Sequence, residues 1–276
     1  MKNLIRLFLL IGLSFGLTSC SRLNWAVRFA DFFLTGQIDD FVDLTSSQRK
    51  ETKAELAKII RDIRAEDFPK LAGLLEKTHE HLPVTQALDK EQLDGWHEEL
   101  MGLVKSSLRR FEPLALSLNA SSGSEQEIHF RKEASRRTEK LRKDVSDPKR
   151  ALKKDKERAL RWIEFFVTDL SSEQTKFVEA FAESHPVDFQ AELENRDHLL
   201  SSFLKSQGDE RREWIRRLFE DPDSLRPAAS VNASKKRQEA MKELFLQLWD
   251  RLSEKQRMRV KENLKEKAAE FRRLSQ

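Results

Sequence analysis

Cys20 is the residue whose chemistry is most clearly indicated by its neighbours. It is the only cysteine among 276 residues, and it directly follows Leu17, Thr18 and Ser19. A lone cysteine has no partner for an intramolecular disulfide bond, and an exported protein seldom keeps a free thiol without a use for it. Small side chains leave room for a peptidase beside the scissile bond, and a thiol can be acylated. These residue types allow cleavage before Cys20 and acylation of its sulfur.

Residues 1–19 have the composition of a secretory signal. Lys2 and Arg6 form a short positive start, and the stretch from Leu7 to Leu17 is mostly apolar and carries no charge. This stretch is shorter than the roughly 20 apolar residues of a transmembrane helix, but it suits a signal peptide. The ending Leu17-Thr18-Ser19-Cys20 resembles the bacterial lipobox. That resemblance implies a lipid anchor on Cys20. The Ser-Arg that follows, in place of a retention aspartate, implies the periplasmic face of the outer membrane rather than the inner membrane.

The remaining 257 residues have the composition of amphipathic helices. They carry 49 basic and 47 acidic side chains, so their net charge is only +2. Charged residues make up 36% of the chain, glycine occurs eight times and tyrosine is absent. This profile favours solvated helices over sheets, and 18 phenylalanines and five tryptophans can still form a core. We expect an all-α fold, and no nucleic-acid partner because the chain is expected to be exported.

The sequence offers no motif for catalysis or metal binding. The six histidines lack the His-Glu-x-x-His spacing of zinc sites. Neither a Gly-x-Ser-x-Gly turn nor a phosphate-binding glycine loop is present. We therefore predict that the protein is not an enzyme and needs no metal or cofactor.

Two surfaces have alternative interpretations. Residues 131–158 contain thirteen Lys or Arg against six Asp or Glu, which fits either a solvated helix face or contact with an anionic surface. The candidate contact residues are Arg142, Lys143, Lys149, Arg150, Lys153 and Lys154. The aromatic segment from Trp25 to Phe33 fits either a core or the membrane interface beside the anchor.

The spacing of apolar residues predicts the positions of the helices. The expected ranges are 24–34, 45–64, 89–111, 125–145, 148–168, 171–184, 187–206, 209–219, 233–250 and 253–274. Gly36 is expected to end the first helix, Pro69 to begin a further helix that ends before Pro83, and 222–232 to form a loop. We expect an elongated bundle of helical hairpins, in which residues 20–23 are a lipidated tether. Residues 24–118 then form an N-terminal subdomain, 119–124 a linker, and 125–276 a C-terminal subdomain.

One short pattern occurs four times, at 44–48, 88–92, 170–174 and 252–256. Each copy has Leu, then Thr, Asp or Ser, and ends in Gln. In such a capping box the oxygen of the second residue accepts from first-turn amides, and the Gln side chain reaches back to the cap amide. The four copies are therefore predicted to start helices. The last three begin 82 residues apart, so an inherited repeat is the alternative interpretation.

These segments together resemble a family of uncharacterised helical lipoproteins of Gram-negative bacteria. The resemblance rests on the lipobox, the segment near Trp25, residues 38–48 and 67–71, Arg158 and Trp162 ahead of 170–174, and the helix after 252. It implies a fold and a location, since the family has no established activity. The Leu-Thr/Ser-x-x-Gln pattern is also similar to that of small periplasmic chaperones of the Spy and CpxP kind. Those chaperones hold clients in a cradle of helices.

We expect a membrane-anchored periplasmic module that binds or scaffolds another envelope protein through grooves between its helices. A chaperone-like holder of unfolded clients is its most specific form. The alternative is a structural envelope protein whose basic face contacts peptidoglycan or anionic lipid.

Overall fold

A computed structural model describes residues 19–276, and describes side chains from residue 23 onward except that of Asp144. The regular elements of this part of the chain are all helical, which confirms the predicted all-α bundle. In chain order the α-helices are α1 (Ser19–Arg28), α2 (Ala30–Val42), α3 (Ser46–Asp62), α4 (Phe68–His81), α5 (Lys90–Arg109), α6 (Glu112–Ser121), α7 (Ser124–Val145), α8 (Pro148–Glu164), α9 (Ser172–Ser184), α10 (Phe189–Lys205), α11 (Gly208–Glu220), α12 (Ala228–Arg251) and α13 (Glu254–Leu274).

The prediction that Gly36 ends a helix is wrong. The helix is interrupted at Phe29, between α1 and α2. Helix α2 then continues through Gly36 and is capped by Asp43, whose φ of 56° is left-handed. A glycine inside a helix costs only about 1 kcal/mol relative to alanine. Leu34 and Ile38, on either side of it, pack against a buried apolar cluster that includes residues of α3. Packing therefore outweighs the local preference of glycine.

Helix α3 passes into α4 through a π-helical turn, Ile63–Asp67, in which the Phe68 amide donates to the Ile63 carbonyl. Pro69 follows in the first turn of α4. Because proline lacks an N–H and collides with the carbonyl four residues back in a regular helix, the wider π turn accommodates it. The same turn places the buried Asp67 carboxylate 2.8 Å from Ser107 Oγ and 3.1 Å from Arg110 Nε.

Three apolar clusters hold the described helices together. The largest surrounds the fully buried Trp249 of α12 and draws in Ile163 of α8 and Val178 of α9. The second is built on α3 and α6. The third joins Leu23 and Val27 of α1 to Leu274 at the end of α13. Burying each large side chain contributes roughly 1.5–3 kcal/mol to stability. These clusters therefore stabilise the packing of the helices against one another.

Three of the four predicted capping boxes are confirmed. In each box the hydroxyl oxygen accepts from the glutamine amide, and the glutamine side chain accepts from the cap amide. The boxes are Thr45 with Gln48, Ser171 with Gln174, and Ser253 with Gln256. At 88–92 the helix begins where it was predicted, with Asp89 as its N-cap, but the predicted reciprocal box is absent. Asp89 accepts from the Glu91 backbone amide, and the Gln92 side chain is exposed.

A reciprocal bridge, here called the first glutamine pair, joins Gln48 of α3 to Gln126 of α7. Gln48 Nε2 donates to the Gln126 side-chain oxygen (3.3 Å) and to the Ser121 carbonyl at the end of α6 (3.0 Å). Gln126 Nε2 donates to the Gln48 side-chain oxygen (2.8 Å) and to the Asp43 carbonyl at the end of α2 (2.9 Å). Each glutamine thus donates to a carbonyl at the end of the helix that comes directly before its partner's helix in the chain.

The second glutamine pair repeats this arrangement with Gln174 of α9 and Gln256 of α13. Gln174 Nε2 donates to the Gln256 side-chain oxygen (3.1 Å) and to the Arg251 carbonyl at the end of α12 (2.8 Å). Gln256 Nε2 donates to the Gln174 side-chain oxygen and to the Asp169 carbonyl, both at 2.8 Å. The two pairs span similar chain distances, 78 and 82 residues. Two junctions in different parts of the bundle are therefore built in the same way.

The Asn119–Ser124 stretch, predicted as a linker, lies within the first of these junctions. Residues 119–121 complete α6, and only Ser122 and Gly123 separate it from α7. Gln126 reaches back to the Gly123 amide (3.2 Å). The loop predicted at 222–232 is also shorter than expected, since a 3₁₀ turn spans Pro222–Leu225 and α12 begins at Ala228. The division into two subdomains stays a prediction.

Replacing Gln174 with alanine should lower the free energy of unfolding by about 2–3 kcal/mol, because it removes a helix cap and three interhelical hydrogen bonds from a buried site. The matched control is Gln92→Ala, which carries the same change at the copy whose glutamine is exposed. We expect the control to change stability by less than about 0.5 kcal/mol. Urea unfolding followed by circular dichroism measures both. Equal effects of the two substitutions would contradict the role given to the pair.

Glu270 of α13 predicts a pH dependence of stability. Its side chain is buried and its Oε1 has no hydrogen-bond partner among the described residues. Burial raises its pKa, and the nearby charges of Lys267 and Arg273 oppose that shift without cancelling it. A raised carboxyl pKa favours the protonated form in the folded state. The protein should therefore lose stability as the pH rises from the unfolded pKa, near 4.3, through the higher folded pKa.

The Glu270→Gln substitution should remove this loss, since glutamine stays neutral. We expect the variant to melt at a higher temperature than the parent at pH 7, by about 2 °C or more, and the difference to shrink toward pH 4. Thermal melts from pH 4 to pH 8 provide the measurement, with the exposed Glu262→Gln as control. A variant that is less stable than the parent at pH 7 would refute the assignment.

Candidate binding cavity

The predicted lipidation site lies at the edge of the described region. Leu17 and Thr18 are outside the described residues, as is most of the predicted signal. Ser19 and Cys20 are the first two residues of α1, so the segment predicted as a tether, 20–23, is helical. No described helix has the length and apolar character that a membrane crossing requires.

The aromatic segment after Cys20 is largely exposed. Trp25 is 55% and Phe32 62% accessible, and Phe29 and Phe33 are also exposed. Their rings contact one another, with Trp25 5.0 Å from Phe29 and 5.4 Å from Phe33 between ring centroids. Of the two interpretations left open by the sequence, core or interface, this exposure favours an interface.

The predicted basic residues lie on α7 and α8, on either side of the short turn between them. Lys143, Lys149, Arg150 and Lys153 are exposed, and Lys154 is half-buried. Arg142 forms ion pairs with Glu139 (2.7 Å) and Asp197 (3.2 Å). The structure brings the six residues into one region, and contact with an anionic surface stays a prediction.

The described region contains a cavity of about 840 Å³. Its walls come from α2, α6, α7, α8, α10, α11 and α12. Sites for small ligands usually enclose about 300–1,000 Å³ and are lined mainly by apolar side chains with a few polar groups. The cavity therefore has the size of a ligand site.

Four half-buried rings form an aromatic row along the cavity wall: Phe41, Phe130, Phe203 and Trp214. Successive ring centroids are 6.2, 5.4 and 5.1 Å apart. These rings belong to none of the three apolar clusters of the described helices. The four rings come from four different helices, and together they line the cavity.

The charged side chains of the wall are six arginines and three carboxylates. The arginines are Arg137, Arg158, Arg196, Arg211, Arg226 and Arg237, and the carboxylates are Glu127, Asp188 and Glu192. Arg137 stacks 3.9 Å from the Phe41 ring centroid and Arg211 4.9 Å from that of Phe203. Two guanidinium groups thus lie directly against the aromatic row.

Ion pairs fix these two guanidinium groups and shift the pKa of their partners. Arg211 Nη1 donates to Glu127 (2.9 Å), and this hydrogen bond lowers the pKa of Glu127. Glu133 accepts from Arg136 and from Arg137, and these two hydrogen bonds lower its pKa to about 2. Glu127 and Glu133 are therefore ionised at neutral pH, and they hold the two guanidinium groups in place.

An ion pair with a buried carboxylate braces another part of the cavity wall. Asp155 of α8 is 1% accessible and accepts from Arg237 of α12 (2.8 Å) and from the Val187 amide before α10 (3.1 Å). Removing one partner of a buried pair typically costs 3–5 kcal/mol. This network ties three segments of the wall together, so the cavity is a fixed part of the bundle.

The wall carries no histidine or cysteine, and the described residues contain no group of three side chains placed to bind a metal ion. Sequence reasoning missed this cavity, because the aromatic row joins residues from four distant helices. The half-buried rings and paired arginines each look like ordinary helix residues in the sequence.

Comparison of the chain with protein-family models, with curated proteins and with solved structures gives no match.

Proposed function

We propose that the protein is a membrane-anchored binding module of the bacterial envelope, which holds the apolar part of a partner in the cavity between its helices. The cavity itself is the observation that carries the proposal. It combines an apolar aromatic row with fixed charges, and it has the volume of a ligand site. A helical bundle without a partner gains nothing from leaving such a surface unpacked, since close packing of apolar side chains is what stabilises a fold.

The sequence before the bundle and the first helices support the location. Acylation of Cys20 would tether α1 to a bilayer, and the exposed rings of Trp25, Phe29, Phe32 and Phe33 follow that residue directly. Aromatic side chains are favoured at membrane interfaces. We propose the outer membrane as the site of the anchor, with the bundle facing the periplasm.

The anchor can be tested by labelling cells with radioactive palmitate. The wild-type protein should take up label and fractionate with the outer membrane, because each acyl chain adds about 0.8 kcal/mol of membrane affinity per buried methylene. The Cys20→Ala variant should carry no label. Unlabelled wild-type protein of full precursor mass in the cytosol would refute the proposed location.

The partner expected from the sequence is another envelope protein, and chaperone-like holding of an unfolded client is the sharpest form of that expectation. The cavity can be tested first with a neutral naphthylamine dye, which fluoresces in apolar surroundings. A soluble form that begins at Ser21 keeps all three apolar clusters. A cooperative melt would verify that it folds.

The Ala134→Trp substitution should fill part of the cavity, since Ala134 lies in its wall. We expect dye affinity to fall at least tenfold, which corresponds to about 1.4 kcal/mol. The matched control is Ala120→Trp, at an exposed position of α6 outside the wall, which should change affinity less than twofold. If the soluble form also suppresses aggregation of an unfolded client, Ala134→Trp should weaken that activity. Absence of dye binding to the folded parent would refute the proposed function.

A further inference from the structure

We infer that the guest of the cavity is a single-chain amphiphile with an anionic head, chemically a fatty acylate. This inference rests on the proposed function, because it names the class of molecule that the module holds. Three features of the wall carry it: the volume, the aromatic row and the nature of the charged groups.

The volume suits a small amphiphile. Sites for small ligands usually enclose about 300–1,000 Å³, and the 840 Å³ of the cavity lies in that range. A sixteen-carbon acylate has the size of the ligands that such cavities usually bury.

The aromatic row provides a path for the chain. Its rings continue from Phe41 of α2 through Phe130 of α7 and Phe203 of α10 to Trp214 of α11, at steps of 5.1 to 6.2 Å. An alkyl chain that lies along these rings buries apolar area on both sides, at about 25 cal/mol per Å². The three steps join four rings in a continuous series of contacts, which an alkyl chain can follow.

The charged groups favour an anionic head. All the cationic residues in the wall are arginines. Each carboxylate of the wall is already engaged: Glu127 by Arg211, Glu192 by Arg196, and Asp188 by the Ala191 amide that it caps. A guanidinium carries five N–H donors in a fork that matches a carboxylate. An arginine that is already paired can therefore still donate to a second anion.

Arg137 and Arg211 are the two guanidinium groups best placed to meet the head. They stack on the Phe41 and Phe203 rings, so an acylate whose chain follows the row brings its carboxylate to one of them. The proposed anchor would keep the cavity beside a bilayer, where enzymatic cleavage of lipids releases such acylates.

Displacement of the neutral dye from the soluble form tests this inference. The probes are hexadecanoate and hexadecyltrimethylammonium below their critical micelle concentrations, hexadecanol below its solubility limit, and vesicles of phosphatidylglycerol. We expect hexadecanoate to displace the dye at concentrations at least tenfold lower than hexadecanol, and the cation to be the weakest. Hexadecanoate should lose most of this advantage in the Arg137→Gln and Arg211→Gln variants. In these variants we expect the two probes to displace the dye at concentrations that differ by less than threefold. Exposed Arg212→Gln serves as control.

The outcomes separate the inference from the proposed function. Equal displacement by hexadecanoate and hexadecanol, or a preference that survives both arginine substitutions, would overturn the anionic head while leaving a cavity that binds dye. If phosphatidylglycerol vesicles displace the dye more strongly than hexadecanoate does, the claim that the guest has a single chain is refuted. If an unfolded polypeptide displaces the dye more strongly, the claim that the guest is an amphiphile is refuted. Failure of the folded protein to bind the dye at all would instead refute the proposed function.

Discussion

The bundle depends on how its helix ends satisfy their hydrogen-bonding groups. Every helix leaves amides at its start and carbonyls at its end without partners inside the helix. In the glutamine pairs a single side-chain amide makes three kinds of contact. The Gln48 side chain, for example, accepts from the amide at its own helix start and donates both to a carbonyl at the end of another helix and to the opposing glutamine. The geometry of a primary amide, with two donors and one acceptor oxygen, makes this possible. Shorter or charged side chains could not replace it.

The first glutamine pair also connects the fold to the cavity. Gln126, Ser122 and Gly123 lie in the cavity wall, and Phe41 at one end of the aromatic row lies shortly before the Asp43 carbonyl that Gln126 engages. The pair therefore fixes the spacing between α2 and α7 where the row begins. The Asp155–Arg237 ion pair does the same for α8 and α12. Polar contacts therefore join neighbouring helices at two places in the cavity wall.

The fold could largely be predicted from the sequence, whereas the site could not. Apolar periodicity, prolines and cap residues are local signals, and they located most helices to within a few residues. They failed at Gly36, where packing of Leu34 and Ile38 decides. At 88–92 they located the helix start but predicted a reciprocal box that is absent, because Asp89 accepts from the Glu91 backbone amide and Gln92 is exposed. The cavity and the glutamine pairs join residues far apart in the chain, such as Gln48 and Gln126, and no local pattern specifies which helix ends meet.

A double-mutant cycle on Gln48 and Gln126 tests the central claim, that reciprocal glutamine contacts hold the junction and with it the cavity. Free energies of unfolding and dye affinities would be measured for Gln48→Ala, Gln126→Ala and the double variant. Two mutual hydrogen bonds predict a coupling energy of about 1–2 kcal/mol, and each single substitution should weaken dye binding nearly as much as both together. Strictly additive stability changes with unaltered dye binding would contradict the account.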